Sequence, residues 1–249
     1  MKWHIRLLGD NYDLEDLSNV CKSKELTIEK NEEGFILKSS EFNDLEDGAK
    51  VYEKATELVA LVNGASVVVL GVRGAVEVSR NLIMMDDQGR KGVCHVCEPL
   101  IGEARVMGRF QTTTRKADGC PEVVYQASPI PRWVRIAKKH EKVALILKML
   151  SENNLDWNKL NIIFEHIEGD IGSKMVDKKW VPKGNINRFT AMVQPHRHGE
   201  SGLKKHKWKA TKEPMEFYEA RAFIGTLVSR WIDSKGVGES GSTLRKDSA

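Results

Sequence analysis

The chain has 249 residues, 41% of them hydrophobic and 30% charged, with a formal net charge of +4. That composition fits an ordinary folded protein with room for two modest domains and excludes a disordered chain. No apolar run approaches the ~20 residues of a membrane-spanning helix. The start, "MKWHIRLLGDNYDLEDL", meets acidic residues at once and has no apolar signal core, and four irregularly spaced cysteines form no secreted disulfide framework. A reducing cytoplasm is the expected compartment.

Along the chain, "WHIRLLG" (3–9) reads as a strand and "LEDLSNV" (14–20) as a short helix behind Asp13. "LTIEKNEEGFILKSS" (26–40) alternates on either side of "NEEG" and reads as a hairpin. "NDLEDGAKVYEKATELVALVNGA" (43–65) is the strongest helix of this half, with Asn43 or Asp44 as cap, Gly64 as stop, and Val51, Ala55, Leu58 and Val62 as its buried stripe. Strand-like segments follow: "SVVVLGV", "AVEVSRNLIMM", "KGVCHVCEPL", "EARVMGRFQTTT" and "PEVVYQA". Residues 1–128 are therefore expected to form an α+β domain, an antiparallel sheet with one main covering helix.

From Pro129 and Pro131 the period becomes helical. "RWVRIAKKHEKVALILKMLSEN" (132–153) reads as one helix, and "DWNKLNIIFEHIEGDIG" (156–172) as a second, capped by Asp156. "KGNINRFTAMV" (183–193) reads as a third, stopped before Pro195. "EPMEFYEARAFIGTLVSRWIDSK" (213–235) is the fourth, with Pro214 in its first turn. Residues 129–235 thus read as a small all-α domain of four helices with a basic loop. The tail, 236–249, has almost nothing to bury and reads as disordered.

Charge is distributed unevenly. Residues 1–130 hold 16 Lys and Arg against 21 Asp and Glu, whereas residues 131–249 hold 23 against 14. Within that second half, residues 171–212 carry 11 basic side chains and only Asp177 and Glu200 as acids. Clustered Lys and Arg release counterions from phosphate chains, so this stretch points to a polyanionic partner, RNA or a small phosphorylated ligand; a solvated lysine-rich loop is the blander account.

Catalytic vocabulary is sparse: the chain has no GxxxxGK[ST], no GxGxxG after a strand, no HExxH and no GxSxG. "CHVC" offers Cys94, His95 and Cys97, with Cys120 further on, but the second ligand pair of a structural zinc site is missing. Strand neighbours Cys94 and Cys97 also point to opposite faces, so buried cysteines are expected, with no metal and no cofactor. The chemistry concentrates in "QPHRHGES", 194–201, and the run that follows it. Cleavage of RNA by its own 2′-OH needs only a histidine to move the proton and an arginine to hold the phosphate. His198 and Arg197 fit those roles, with His196 and Arg188 in support. Lys204, Lys205, His206, Lys207 and Lys209 would track the phosphate chain, and Trp208 could stack on a base.

The helical half resembles the C-terminal part of uncharacterised bacterial proteins that share an "RHG…PM…EA" layout, here Arg197-His198-Gly199, Pro214-Met215 and Glu219-Ala220. More distantly it resembles the HEPN superfamily, whose four-helix domains occur in toxin, abortive-infection and RNA-processing proteins. The resemblance implies a metal-independent ribonuclease of a phage-defence or toxin system, active as a homodimer, with the N-terminal domain as sensor or regulator. A non-enzymatic binder of nucleic acid or of a phosphorylated signal, and a protein-interaction scaffold, remain the alternatives.

Overall fold

The computed structural model describes residues 2–71, 76–85, 88, 90–96, 114–115, 121–122, 128–152, 154–172, 174–205 and 213–236. Most of "EARVMGRFQTTT" and "PEVVYQA", as well as Cys97, Cys120, His206–Lys209 and the tail from 237, lie outside them. The fold is α+β. Two compact units divide it: Met1–Val59 with Val76–Pro131, and Ala60–Ala75 with Arg132–Ala249. Among the described residues no helix is long and apolar enough to cross a membrane.

The first unit is built on a five-stranded antiparallel sheet, β1 (Lys2–Leu8), β2 (Leu26–Asn31), β3 (Gly34–Ser39), β4 (Glu77–Met85) and β5 (Lys91–His95), in the order β2-β3-β1-β4-β5. A separate two-residue ladder joins β6 (Thr114–Arg115) to β7 (Pro121–Glu122). Strand alternation places every second residue of the sheet on one face. Register aligns Ile28, Leu37, Ile5, Leu82 and Cys94 in a single row across all five strands, the first four at most 1% exposed. Helix α1 (Asn11–Val20) packs against β2 and β3. Its cap is Asp10, which accepts from the amides of Tyr12 and Asp13, so Asp13 is a buried first-turn residue and not the cap.

Glu33, in the β2–β3 turn, forms an ion pair with Lys91 at the start of β5.

Helix α2 (Gly48–Val69) differs from expectation at both ends. It begins after Asp47, whose carboxylate accepts from Ala49 N at 2.9 Å, and residues 43–44 lie outside it. It also runs through Gly64 and absorbs Ser66–Val69, which the sequence pattern assigns to a strand. The reason is close packing in the second unit: a Cβ at Gly64 would lie 1.9 Å from the backbone oxygen of Leu147. Glycine serves that crossing and not a helix stop.

From Ile130 on, the chain forms α3 (Ile130–Lys139), α4 (Glu141–Ser151), α5 (Trp157–Ile171), a single turn α6 (Lys174–Asp177), α7 (Lys183–Lys205) and α8 (Phe217–Gly236), which from Arg132 belong to the second unit. That is six described helices where the sequence pattern gives four. The expected helix over 132–153 breaks at His140, which is extended and precedes α4. At ~100° per residue, the buried stripe of α3 around Trp133 and Ala137 is about 100° out of phase with that of α4 around Val143, Leu147 and Leu150. A straight helix could not bury both. Asp156 caps α5 as expected, accepting from Lys159 N at 2.8 Å. Phe164, Phe189 and Phe223 then stack α5, α7 and α8 together, with ring centroids 5.2–6.2 Å apart.

Candidate nucleic-acid interface

The stretch expected to be a basic loop is helical as far as Lys205. Helix α7 does not stop before Pro195; it carries that proline in its interior and continues for ten more residues. Pro195 has no N–H for the ladder, which normally bends or breaks a helix. Upstream, Phe189 and Val193 are fully or almost fully buried (0% and 2% exposed).

A helical backbone turns ~100° per residue, so neighbours in sequence do not share a face. His196 falls within about 20° of the Phe189 line, whereas His198 falls on the opposite side, about 200° from His196. On the side away from Phe189, an arc about 100° wide collects Lys183, Asn187, Thr190, Gln194, Arg197, His198, Ser201 and Lys205, with Lys204 at its edge. Every residue on it is polar and none is acidic. Lys183 and Asn187 are exposed, and Glu200 is the one acid in the sequence of α7.

Arg188 has a different place. Its guanidinium donates to the backbone oxygens of Glu213 (3.1 Å) and Pro214 (2.9 Å), and to Glu219 Oε2 at 3.0 Å. Glu219 Oε2 also accepts from Glu216 N at 2.8 Å, the reciprocal half of a capping box at the start of α8. The Glu216 amide, helped by Arg188, holds the Glu219 carboxyl below its ordinary range against the opposing effect of partial burial. Met215 and Ala220 are buried at 2% and 0%. Four residues of the "PM…EA" layout thus build the entry to α8, and Pro214 precedes that helix instead of occupying its first turn.

Sequence reasoning missed this staple because it joins residues 25 to 31 positions apart and has no local signature. The polar arc of α7 was legible, at steps of four and seven residues, once the helix is continued through Pro195. His206, Lys207, Trp208 and Lys209 lie outside the described residues.

In the sheet unit, Cys94 is half-buried at the end of the Ile5–Leu82 row and crowds Gly48, where a Cβ would lie 2.5 Å from Cys94 Sγ. His95 points to the other face and hydrogen-bonds Asn81 at 2.6 Å. Adjacent strand residues of "CHVC" thus diverge. Among the described residues no group of three or more His, Cys, Asp and Glu is arranged to hold a metal ion.

No family model, curated protein or solved structure matches this chain. The functional reading therefore rests on the geometry of the chain itself.

Proposed function

We propose that the helical unit binds the phosphate chain of a nucleic acid, with the acid-free arc of α7 as its contact surface. The observation that carries the reading is that arc: Lys183, Arg197, His198 and Lys205 recur on one side of a helix about 33 Å long. Asn187, Gln194 and Ser201 interleave as neutral hydrogen-bonding groups. Basic residues set at helical spacing supply affinity by counterion release without any catalytic step.

A metal-independent ribonuclease is the second reading. What favours it is that Arg197 and His198, the phosphate anchor and the proton-transfer group, both belong to the arc. His196 and Arg188 do not join them: the one falls on the Phe189 side, the other is engaged with Glu213, Pro214 and Glu219.

The test is retardation and cleavage of labelled single-stranded RNA in EDTA, comparing wild type with Arg197→Gln/Lys205→Gln. The expected result is RNA binding that the double variant weakens by about tenfold at moderate salt, with no cleavage. Equal binding by both proteins, or no binding by the wild type, overturns the α7 assignment. Cleavage by the wild type that His198→Ala abolishes, with binding retained, establishes the second reading in place of simple binding. Cleavage that survives His198→Ala removes the role given to that histidine.

A further inference from the structure

The turn between α6 and α7 carries lysines that the reading of α7 leaves unused. It closes as a Schellman arrangement: Trp180 N donates to Met175 O and Lys179 N to Val176 O, both at 2.9 Å. That closure puts Lys179 in the left-handed region, φ 54°, at the position where helices commonly end on glycine. Among the described residues no other non-glycine has a positive φ. Met175 and Val181, on either side of the turn, are buried and anchor it. Lys178, Lys179 and Lys183 are all exposed. The Lys178 ammonium lies 5.5 Å from the centroid of the Trp180 ring, a contact that orients the side chain and leaves its charge in place. Among the described residues none of these three lysines is joined to a carboxylate, whereas Lys142, Lys159 and Lys235 each are. Asp177 is the one acid from Lys174 to Arg197, so the stretch stays positive.

We infer that this turn is a phosphate clamp that extends the α7 surface and grips the same nucleic-acid chain just before the helix. The inference rests on the reading of α7 as a contact surface and brings in Lys178 and Lys179, which that reading does not use. Lys183 joins the two: it is the first residue of α7 and the first member of its acid-free arc. Continuity and charge complementarity select the partner. Three ammonium groups without a carboxylate attract a polyanion, and lysine binds phosphate as a point charge that needs no fixed approach. A protein partner would meet few lysines, because lysine is depleted in such interfaces. A segment that lies on an anionic membrane pairs its lysines with exposed apolar side chains, and here Met175 and Val181 are buried. The backbone supports the same reading. Lysine at a left-handed position gives up stability that glycine would keep, and in return it holds an exposed ammonium on a fixed turn.

The experiment measures affinity for single-stranded RNA against salt concentration, with thermal unfolding, for wild type, Lys178→Gln/Lys179→Gln, Lys179→Gly and Arg197→Gln/Lys205→Gln. Each phosphate contact on a single strand contributes ~0.7 to the slope of log K against log [salt], so the double turn variant should flatten the slope by about 1.4. Lys179→Gly should flatten it by about 0.7 and also raise the thermal midpoint by about 2 °C, because glycine relieves the left-handed strain. A lysine with only a structural role would not give that pair of opposite changes. Turn variants with the wild-type slope and affinity overturn the clamp, even where the α7 variant is impaired, and the α7 reading then stands alone. An α7 variant that binds normally beside impaired turn variants upholds the contact at Lys178 and Lys179 and rejects the far end of α7. Wild type that ignores RNA, or binds phosphatidylserine vesicles in its place, overturns both the clamp and the reading it rests on. A lower midpoint in Lys179→Gly overturns the strain argument, and the slope of Lys178→Gln/Lys179→Gln then decides the contact.

Discussion

Charge is handled differently in the two units. In the sheet unit acids and bases alternate and pair across the strands or along a helix: Glu29 with Lys38, Glu33 with Lys91, and Lys54 with both Glu41 and Glu57. In the helical unit one set of basic residues is drawn into the framework. Arg188 binds Glu219, Arg132 binds Asp233, and Lys235 and Lys142 meet Asp170. A second set, on α7, recurs along one side of the helix, and it is the one proposed as a contact surface. The lesson is that net charge alone does not mark a binding surface. What marks it is a face on which one sign is kept together while neighbouring charges of the same unit are built into the framework.

That distinction is open to attack from both sides, and the framework set should give the largest effects on stability. Trp231 is fully buried and donates to Asp170 Oδ2 at 2.8 Å. Trp231→Ala should cost about 3–5 kcal/mol in urea unfolding, the usual range for a large aromatic core truncation. Arg188→Ala should cost about 1–2 kcal/mol through its bonds to two backbone carbonyls, and Arg188→Lys should not restore it, because an ammonium lacks the planar fork. RNA affinity lost in either variant while folding is intact would erase the line between the two sets.

The smaller effects are in acid and at the surface. Partial burial pushes the Asp170 carboxyl up, but hydrogen bonds from Lys235 and Trp231, with the charges of Lys235 and Lys142, outweigh it and leave the group below its ordinary range. A carboxylate lowered in the folded state stabilises above its unfolded pKa, and that stability is lost as pH falls through the folded value. Unfolding midpoints should therefore decline below about pH 4 in wild type, and part of that decline should vanish in Asp170→Asn. A mutant profile parallel to wild type would show that Asp170 contributes nothing to it. Last, Lys183→Gln, at an exposed position of α7, should change stability by no more than about 0.5 kcal/mol, as at ordinary surface sites. A larger loss would move that residue into the framework set.

Local chemistry was sufficient wherever a short-range rule operates. The β2–β3 hairpin follows from alternation around "NEEG", and Asp156 caps α5 because its side chain reaches an amide three residues on. Cys94 and His95 diverge as strand neighbours must. The concentration of basic residues in 171–212 was equally plain from the chain alone.

Other features depend on groups brought together from afar. Gly64 reads as a helix stop until Leu147 of α4 crosses it, and nothing near Gly64 in sequence announces that neighbour. Pro195 reads as a boundary, yet α7 runs past it to Lys205. Arg188, read from the sequence as a supporting group, also clasps residues 25 to 31 positions away. The amino-acid sequence by itself determined which signs of charge and which periods each half carries. Tertiary packing decided which of those charges are spent on the framework and which share a face, because only packing sets the phase of each helix against the core.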